Sequence, residues 1–364
     1  MINKIRIGII GTGFARKTQI PSFLALDDVE IISVASASRV NAESTAQEFG
    51  ISHFTDNWRE TVERDDIDLI SIVTPPVFHR EMTLAAIKHG KHVLCEKPMA
   101  MNAEEAREMT QKAAVKGVLA LINHELRFLN GRRRAFEIIR SGGIGKIMHC
   151  KILFRNASRG TQEVTWNWWS DSSQGGGALG AIGSHAVDTF RWLTGAEIAE
   201  VFCSLKINIK ERLDKNSNRM RRVTSDDEAN LILRLTDSEF ALDTSATVSL
   251  SVVEAGKYEH RVEIFGTKGA LAIEEGGELW QSKMSDHDWQ RIEIDLGTAA
   301  PNVQPGGWSR GFINFAGEII AALREGKNAV ENAATFEDGL KTQIVLDAAR
   351  KSAANRSSIK IEPV

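Results

Sequence analysis

The chain is poor in every feature that would tie it to a bilayer, a nucleic acid or an oxidising compartment. None of its apolar runs approaches the ~18 residues that a membrane span requires. A formal charge of -3, from 45 Lys and Arg against 48 Asp and Glu, offers no basic surface for nucleic acid or acidic lipid. Cys95, Cys150 and Cys203 are too few and too widely spaced for a disulfide framework or a metal site. They read as reduced, buried thiols. The single tyrosine, Tyr258, carries no assigned role. The opening stretch MINKIRIGIIG runs directly into a strand without a small-residue cleavage site, so no signal peptide is expected and a cytoplasmic location is. Repeats and low-complexity tracts are also missing.

What remains is an ordinary globular composition, 42% hydrophobic and 26% charged, over 364 residues, a length that favours two domains. Residues 1–122 alternate strand and helix patterns. Apolar strands are expected at 5–10, 29–35, 68–73, 92–95 and 118–122. Helices are expected at 41–49, 80–89 and 103–115, stopped by Gly50, Gly90 and Gly117. This alternation argues for a doubly wound parallel sheet. From residue 123 the pattern changes. A helix at 133–140 precedes strands at 146–154, 200–209, 229–235, 240–250 and 261–265, with one helix near 182–193. Strands in succession imply a mainly antiparallel sheet in an α+β domain spanning 123–364. A hairpin turn is expected at 266–269, helices at 310–324 and 336–353, and a last strand at 358–362. The charged stretch 210–222 reads as a solvated loop.

Gly11-Thr12-Gly13-Phe14 follows the first strand and opens a helix, as a dinucleotide-binding turn must. Gly11 permits the tight turn and Gly13 lets the backbone approach a pyrophosphate. Arg16 stands where a third small residue is usual, and Ala15 can take that packing role one position earlier. After the second strand no carboxylate appears before Glu43. Ser38 and Arg39 offer a donor and a cation instead, which favours NADP over NAD as cofactor. Thr74 and Pro75 turn the chain over the cofactor edge, with His79 as a further contact. Glu96-Lys97-Pro98 ends the next strand, and ligands of open α/β sheets bind outside the carboxyl ends of strands. Glu96 and Lys97 are thus placed beside the cofactor. Pro98 stiffens the turn and aims the Lys97 ammonium at a substrate hydroxyl.

The other candidate segment is Gly175 to Gly195, where a run of glycines precedes a helix carrying His185 and Asp188 at i,i+3. A neutral imidazole can accept a hydroxyl proton near working pH. Asp188 suits orientation of that ring or contact with a substrate hydroxyl. Asn123 and Arg127, and Trp168 and Asp171 just before the glycines, offer the mixture of aromatic faces and polar groups that lines a small-ligand site.

With GTGF at Gly11, VTPP at Val73, GKHVLCEKPMA at Gly90 and GGGALxxxGSHxxD at Gly175 in this order, the chain resembles the Gfo/Idh/MocA family of sugar and polyol dehydrogenases. The resemblance spans the whole chain, strongly to about Gly195 and more loosely beyond. It implies a Rossmann domain, then a second domain with a large open sheet that forms a dimer or tetramer. It also implies a small carbohydrate substrate, with Lys97 as the catalytic or substrate-orienting lysine and His185 as proton acceptor. The peptide before Pro98 is often cis in relatives. Relatives often carry Asp four residues before the histidine, where this chain has Ala181. The expected activity is NAD(P)-dependent hydride transfer at a carbinol carbon of a sugar, sugar derivative or cyclic polyol. The alternatives are a non-catalytic NAD(P)-binding regulator and an NAD-dependent, redox-neutral glycosidase.

Overall fold

The computed structural model describes residues 4–362; the first three residues of the basic start considered above lie outside them. Its strands, in chain order, are β1 (Ile5–Ile10), β2 (Val29–Ala35), β3 (His53–Thr55), β4 (Leu69–Ile72), β5 (His92–Cys95) and β6 (Ala120–Ile122). They continue with β7 (Ile147–Arg155), β8 (Ile198–Lys206), β9 (Glu211–Asp214), β10 (Arg219–Arg222), β11 (Glu228–Leu235) and β12 (Ala241–Ser251). The last five are β13 (Glu259–Gly266), β14 (Gly269–Ile273), β15 (Leu279–Lys283), β16 (Gln290–Ile292) and β17 (Ile359–Lys360). The α-helices are α1 (Ile20–Leu24), α2 (Arg39–Phe49), α3 (Trp58–Val62), α4 (His79–Lys88), α5 (Ala103–Lys116) and α6 (Asn130–Arg140). They end with α7 (Ser184–Thr194), α8 (Gly307–Arg324) and α9 (Phe336–Asn355).

The first compact unit comprises Met1–Leu129 and Gly297–Leu340. Its six strands are all parallel in the order β3-β2-β1-β4-β5-β6, the doubly wound arrangement expected from the β-α alternation. β1 and β4 are apolar almost throughout because a parallel sheet is covered on both faces. A single cut before residue 123 does not describe this unit, because 297–340 returns to it. Helix α8 supplies Phe312, Phe315 and Ile319 to the core of the sheet. Phe312 packs edge-on against Phe23, with centroids 5.4 Å apart, and Phe315 stacks on Phe128 at 4.4 Å. Further on, Ile122 N–H donates to the Ala334 carbonyl (2.9 Å), so the returning chain covers the exposed edge of β6.

The second unit comprises Asn130–Leu296 and Lys341–Val364. Its nine-stranded sheet runs β16-β15-β14-β13-β7-β12-β11-β8-β17, antiparallel except for the parallel pair β7–β12. Along β11 burial alternates, with Ala229, Leu231, Leu233 and Leu235 inward. Helix α6 packs against β14 and β15, and α7 against β7. On the other side Phe202 and Ile232, paired across β8 and β11, are 39% and 57% exposed. The turn at residues 267–268 joins β13 to β14 as the sequence predicts.

The stretch 210–222 is a correction. It forms the hairpin β9–β10, with Arg212 buried beneath it. The Arg212 guanidinium donates to the carbonyls of Arg159, Thr161 and Val164, the last two at 3.0 Å. A buried cation satisfied by backbone carbonyls looks, in sequence, like one more solvated charge.

Candidate active site

At the carboxyl edge of the parallel sheet the register aligns four chain exits. Ile10 pairs with Ile72, Ile72 with Cys95, and Cys95 with Ile122. Gly11, Val73, Glu96 and Asn123 therefore lie along one rim. Three backbone bonds hold it: Val73 N–H to Ile10 (2.7 Å), Glu96 N–H to Ile72 (3.0 Å) and Asn123 N–H to Cys95 (2.8 Å). Strand order reverses between β1 and β4, so the rim includes the switch point where such sheets take ligands.

Gly11 leaves β1 with φ of 102°, and a Cβ there would sit 2.3 Å from the Val73 carbonyl oxygen. Only glycine fits. Around the Cβ position of Gly13 nothing lies within 4 Å, so that backbone is open to approach. Residues 13–24 continue helically from the turn, through a π-type stretch at Ala15–Gln19. Ala15 is fully buried, whereas Arg16 forms an outer ion pair with Glu48. The small-residue role has moved to Ala15, and Phe14 is half-buried against the core. Open backbone at a helix start is the environment a dinucleotide pyrophosphate requires. Beyond β2, Ser38 caps α2 by accepting from Asn41 N–H (3.4 Å). Arg39 is largely exposed, 3.9 Å from Asp56 and 5.3 Å from the Phe54 ring centre.

The Lys97–Pro98 peptide is cis. The Lys97 ammonium lies 5.7 Å from the ring centre of Trp308 on α8, a residue the sequence pattern did not mark. The preceding Glu96 is buried, and its Oε1 accepts from the amides of Gln19 (2.9 Å) and Asn123 (2.7 Å). Gln19 Oε1 accepts in turn from Ser71 Oγ (2.6 Å). Burial pushes the Glu96 carboxyl up, against the pull of Lys97 and these donors. Glu96 and Asn123 thus brace the rim internally. Gln19, a fully buried polar residue one helical stretch after Gly13, was the available signal for this network.

His79 and Arg127 are likewise engaged within the protein. His79 is fully buried, with Nε2 2.8 Å from the Thr74 carbonyl and Nδ1 3.0 Å from the Pro98 carbonyl, so both nitrogens are engaged within the protein. Arg127 pairs with Asp338 (3.6 Å) and donates to the Asn332 carbonyl (3.3 Å). Its guanidinium fastens the returning segment to this unit.

In the second unit the glycine run serves packing. A Cβ on Gly176 would lie 2.3 Å from the Trp169 carbonyl oxygen. One on Gly177, where φ is 118°, would lie 2.4 Å from Asp226 Oδ1. These contacts seat the turn on protein. Asp226 Oδ2 accepts from Leu179 N–H (2.7 Å), and burial pushes its carboxyl up to about 6. From this anchored turn a π-type stretch, Leu179–Gly183, continues into α7 with His185 and Asp188, each 2% exposed. Ala181 lies in the π-type stretch.

Arginines cover two of the neighbouring tryptophans. Arg221 lies 3.3 Å from the ring centre of Trp166, and Arg159 lies 4.5 Å from that of Trp169. Trp168 is half-buried without such a cover. Asp171 accepts from Ser173 N–H (3.0 Å), Ser173 Oγ (2.7 Å) and the Gln174 amide (3.1 Å). Burial raises its carboxyl, but these donors outweigh it and hold the group below its usual range. Asp171 is therefore a turn cap. Cys95, Cys150 and Cys203 are free and buried, and burial pushes each thiol up, Cys203 to about 12, so none is poised as a nucleophile. Among the described residues no helix is long and apolar enough to cross a membrane, and no cluster of three or more His, Cys, Asp or Glu is arranged for a metal.

Residues 5–124 match an oxidoreductase family with an NAD-binding Rossmann fold, and residues 133–272 match the GFO/IDH/MocA C-terminal domain. An uncharacterised oxidoreductase of Synechocystis is 31% identical over 74% of this chain and 71% of its own. Levoglucosan dehydrogenase of Pseudarthrobacter phenanthrenivorans is 26% identical over the full length of both. A structure of levoglucosan dehydrogenase in complex with NADH and levoglucosan superposes with a TM-score of 0.88 at 26% identity, covering 99% of this chain and 100% of that one. An oxidoreductase domain protein from Kribbella flavida gives 0.88 at 27% identity, with the same coverage.

Proposed function

This chain belongs to the Gfo/Idh/MocA oxidoreductase family with its NAD-binding Rossmann domain, and from that premise we propose that it is an NAD(P)-dependent dehydrogenase of a sugar, sugar derivative or cyclic polyol. The observation that carries the reading is the position of Lys97. It follows Glu96 on the rim that also carries the Gly11 turn, where a bound dinucleotide is held. Residues 11–14, with Thr74 and Pro75, would hold that cofactor, and nicotinamide supplies the acceptor for a carbinol hydride. Lys97 binds the substrate oxygen and stabilises negative charge developing on it. His185 takes the hydroxyl proton. Asp188 orients that ring or meets a neighbouring hydroxyl, and Trp168 offers its face to the sugar. The carbohydrate class is supported by the relative named for levoglucosan. The second unit would be the substrate and assembly domain, with the exposed Phe202–Ile232 face supporting a homodimer or homotetramer.

The test is absorbance of reduced nicotinamide with NAD or NADP and a panel of aldoses, uronates, inositols and anhydrosugars. A sugar-dependent signal is expected, abolished in Lys97→Ala and His185→Ala while cofactor still binds. Cofactor binding without turnover on any sugar would favour a regulator. Glycosidic cleavage without net reduction would favour a redox-neutral glycosidase.

A further inference from the structure

We propose that His79 is a positioning residue that clasps the turn carrying Lys97 to the turn leaving β4, and so holds Lys97 on the rim. The inference rests on the catalytic reading of Lys97.

Both turns are short of backbone donors, because Pro75, Pro76 and Pro98 have no N–H. The carbonyls of Thr74 and Pro98 therefore need a donor from elsewhere, and a buried carbonyl left unpaired is costly. His79, the first residue of α4, places one rigid ring between them, 2.8 Å from one oxygen and 3.0 Å from the other. It lies in no solvent-facing position from which to meet a ligand. A neutral imidazole carries a single N–H, so at any moment one carbonyl is bonded and the other faces a lone pair. Burial favours that neutral form, and the nearby Lys97 adds to it, against the carbonyls that favour a second proton. The ring thus donates to one turn and packs against the other, filling the space between β4, α4 and the Lys97 turn without adding a buried charge. The ring meets the backbone of Thr74, Pro98 and Met99, so its effect on chemistry would pass through the position of Lys97.

The test uses the full chain with His79→Leu, His79→Asn and His79→Gln. Asn places its amide near Nδ1, towards Pro98, and Gln places its amide near Nε2, towards Thr74. The expected result for His79→Leu is a kcat lower by roughly tenfold to a hundredfold, the size of effect a displaced catalytic group gives, with some loss of cofactor affinity because Thr74 and Pro75 lie in the loosened turn. Amide exchange should accelerate in peptides covering residues 73–78 and 96–101 and nowhere else. His79→Asn should recover more kcat than His79→Gln. Wild-type kcat in His79→Leu, or exchange rising across the whole unit, would overturn the proposal. If His79→Leu does not fold, the Asn and Gln variants decide, and equal losses in both count against the clasp. Lys97→Ala measured alongside separates the claims. Full turnover in that variant removes the catalytic reading, while the exchange pattern still tests whether His79 holds the two turns.

Discussion

The Lys97 ammonium stands 5.7 Å from the centre of the Trp308 ring, although the two residues come from the two separate segments of the first unit. An ammonium over an indole face is stabilised by roughly 0.5–2 kcal/mol, depending on its desolvation. Trp308→Ala should therefore lower kcat/KM by about threefold to thirtyfold, and Trp308→Phe should keep most of it. Steady-state kinetics on the substrate identified by the panel would check this. Equal activity in all three proteins would mean that the ring does not act on the lysine.

Gly11 is the position at which a single methyl should separate cofactor binding from the rest of the fold. Its Cβ would collide with the Val73 carbonyl, and its φ of 102° is itself strained for any L residue. Gly11→Ala is expected to lose at least about 1–3 kcal/mol of stability and most of its affinity for NAD(H). Thermal melts with and without cofactor provide the measurement: the variant should melt lower and lose the cofactor-induced rise. Gly13→Ala, whose Cβ meets nothing within 4 Å, should melt like wild type without cofactor.

These two glycines also mark what the sequence makes legible. The parallel sheet, the Gly11 turn and the Lys97 turn could be read from local pattern, because strands buried on both faces are apolar runs and each turn needs particular residues. The membership of α8 could not, since its stripe of Phe312, Phe315 and Ile319 would suit either unit and only tertiary packing assigns it. His79, Asn123, Arg127 and Asp171 were recognisable as polar residues near the site. Their roles depended on carbonyls and carboxylates that three-dimensional structure alone brings within hydrogen-bonding distance. Gly176 and Gly177 show the same limit: glycine announces a close approach, but whether protein or ligand approaches is not written locally.

The candidate for reading the cofactor's 2′ position is Arg39. Its pair with Asp56 is long, at 3.9 Å, and both side chains are more than half exposed, so the pair is weak and breakable by a 2′-phosphate. If Arg39 receives that phosphate, Arg39→Ala should weaken NADP binding by about tenfold and leave NAD almost unchanged. Asp56→Ala, which removes the competing carboxylate, should shift preference towards NADP. Fluorescence titration of both cofactors would test this. Equal effects of Arg39→Ala on NAD and NADP would mean that Arg39 does not read the phosphate.

Two buried groups of the second unit should give the pH dependence of stability opposite slopes. Burial, reinforced by Arg132, holds the His260 ring neutral down to about 3, far below its ordinary 6.5. The unfolded chain protonates this ring first, so its contribution is present above 6.5 and is lost as pH falls towards about 3. Asp226 has the reverse sign. Burial and the neighbouring Asp227 raise it from 3.8 to about 6, against Arg350 and the Leu179 N–H, so folding favours its protonated form. Its contribution is complete below 3.8 and is lost as pH rises through about 6. Each unit of difference corresponds to about 1.4 kcal/mol. Urea midpoints measured from pH 4 to pH 8 should therefore separate the two. His260→Gln should flatten the loss on the acid side, and Asp226→Asn should remove the loss between about 4 and 6, making that variant relatively more stable at pH 7 if it keeps the bond to Leu179. Parallel curves for wild type and both variants would show that neither group titrates with folding.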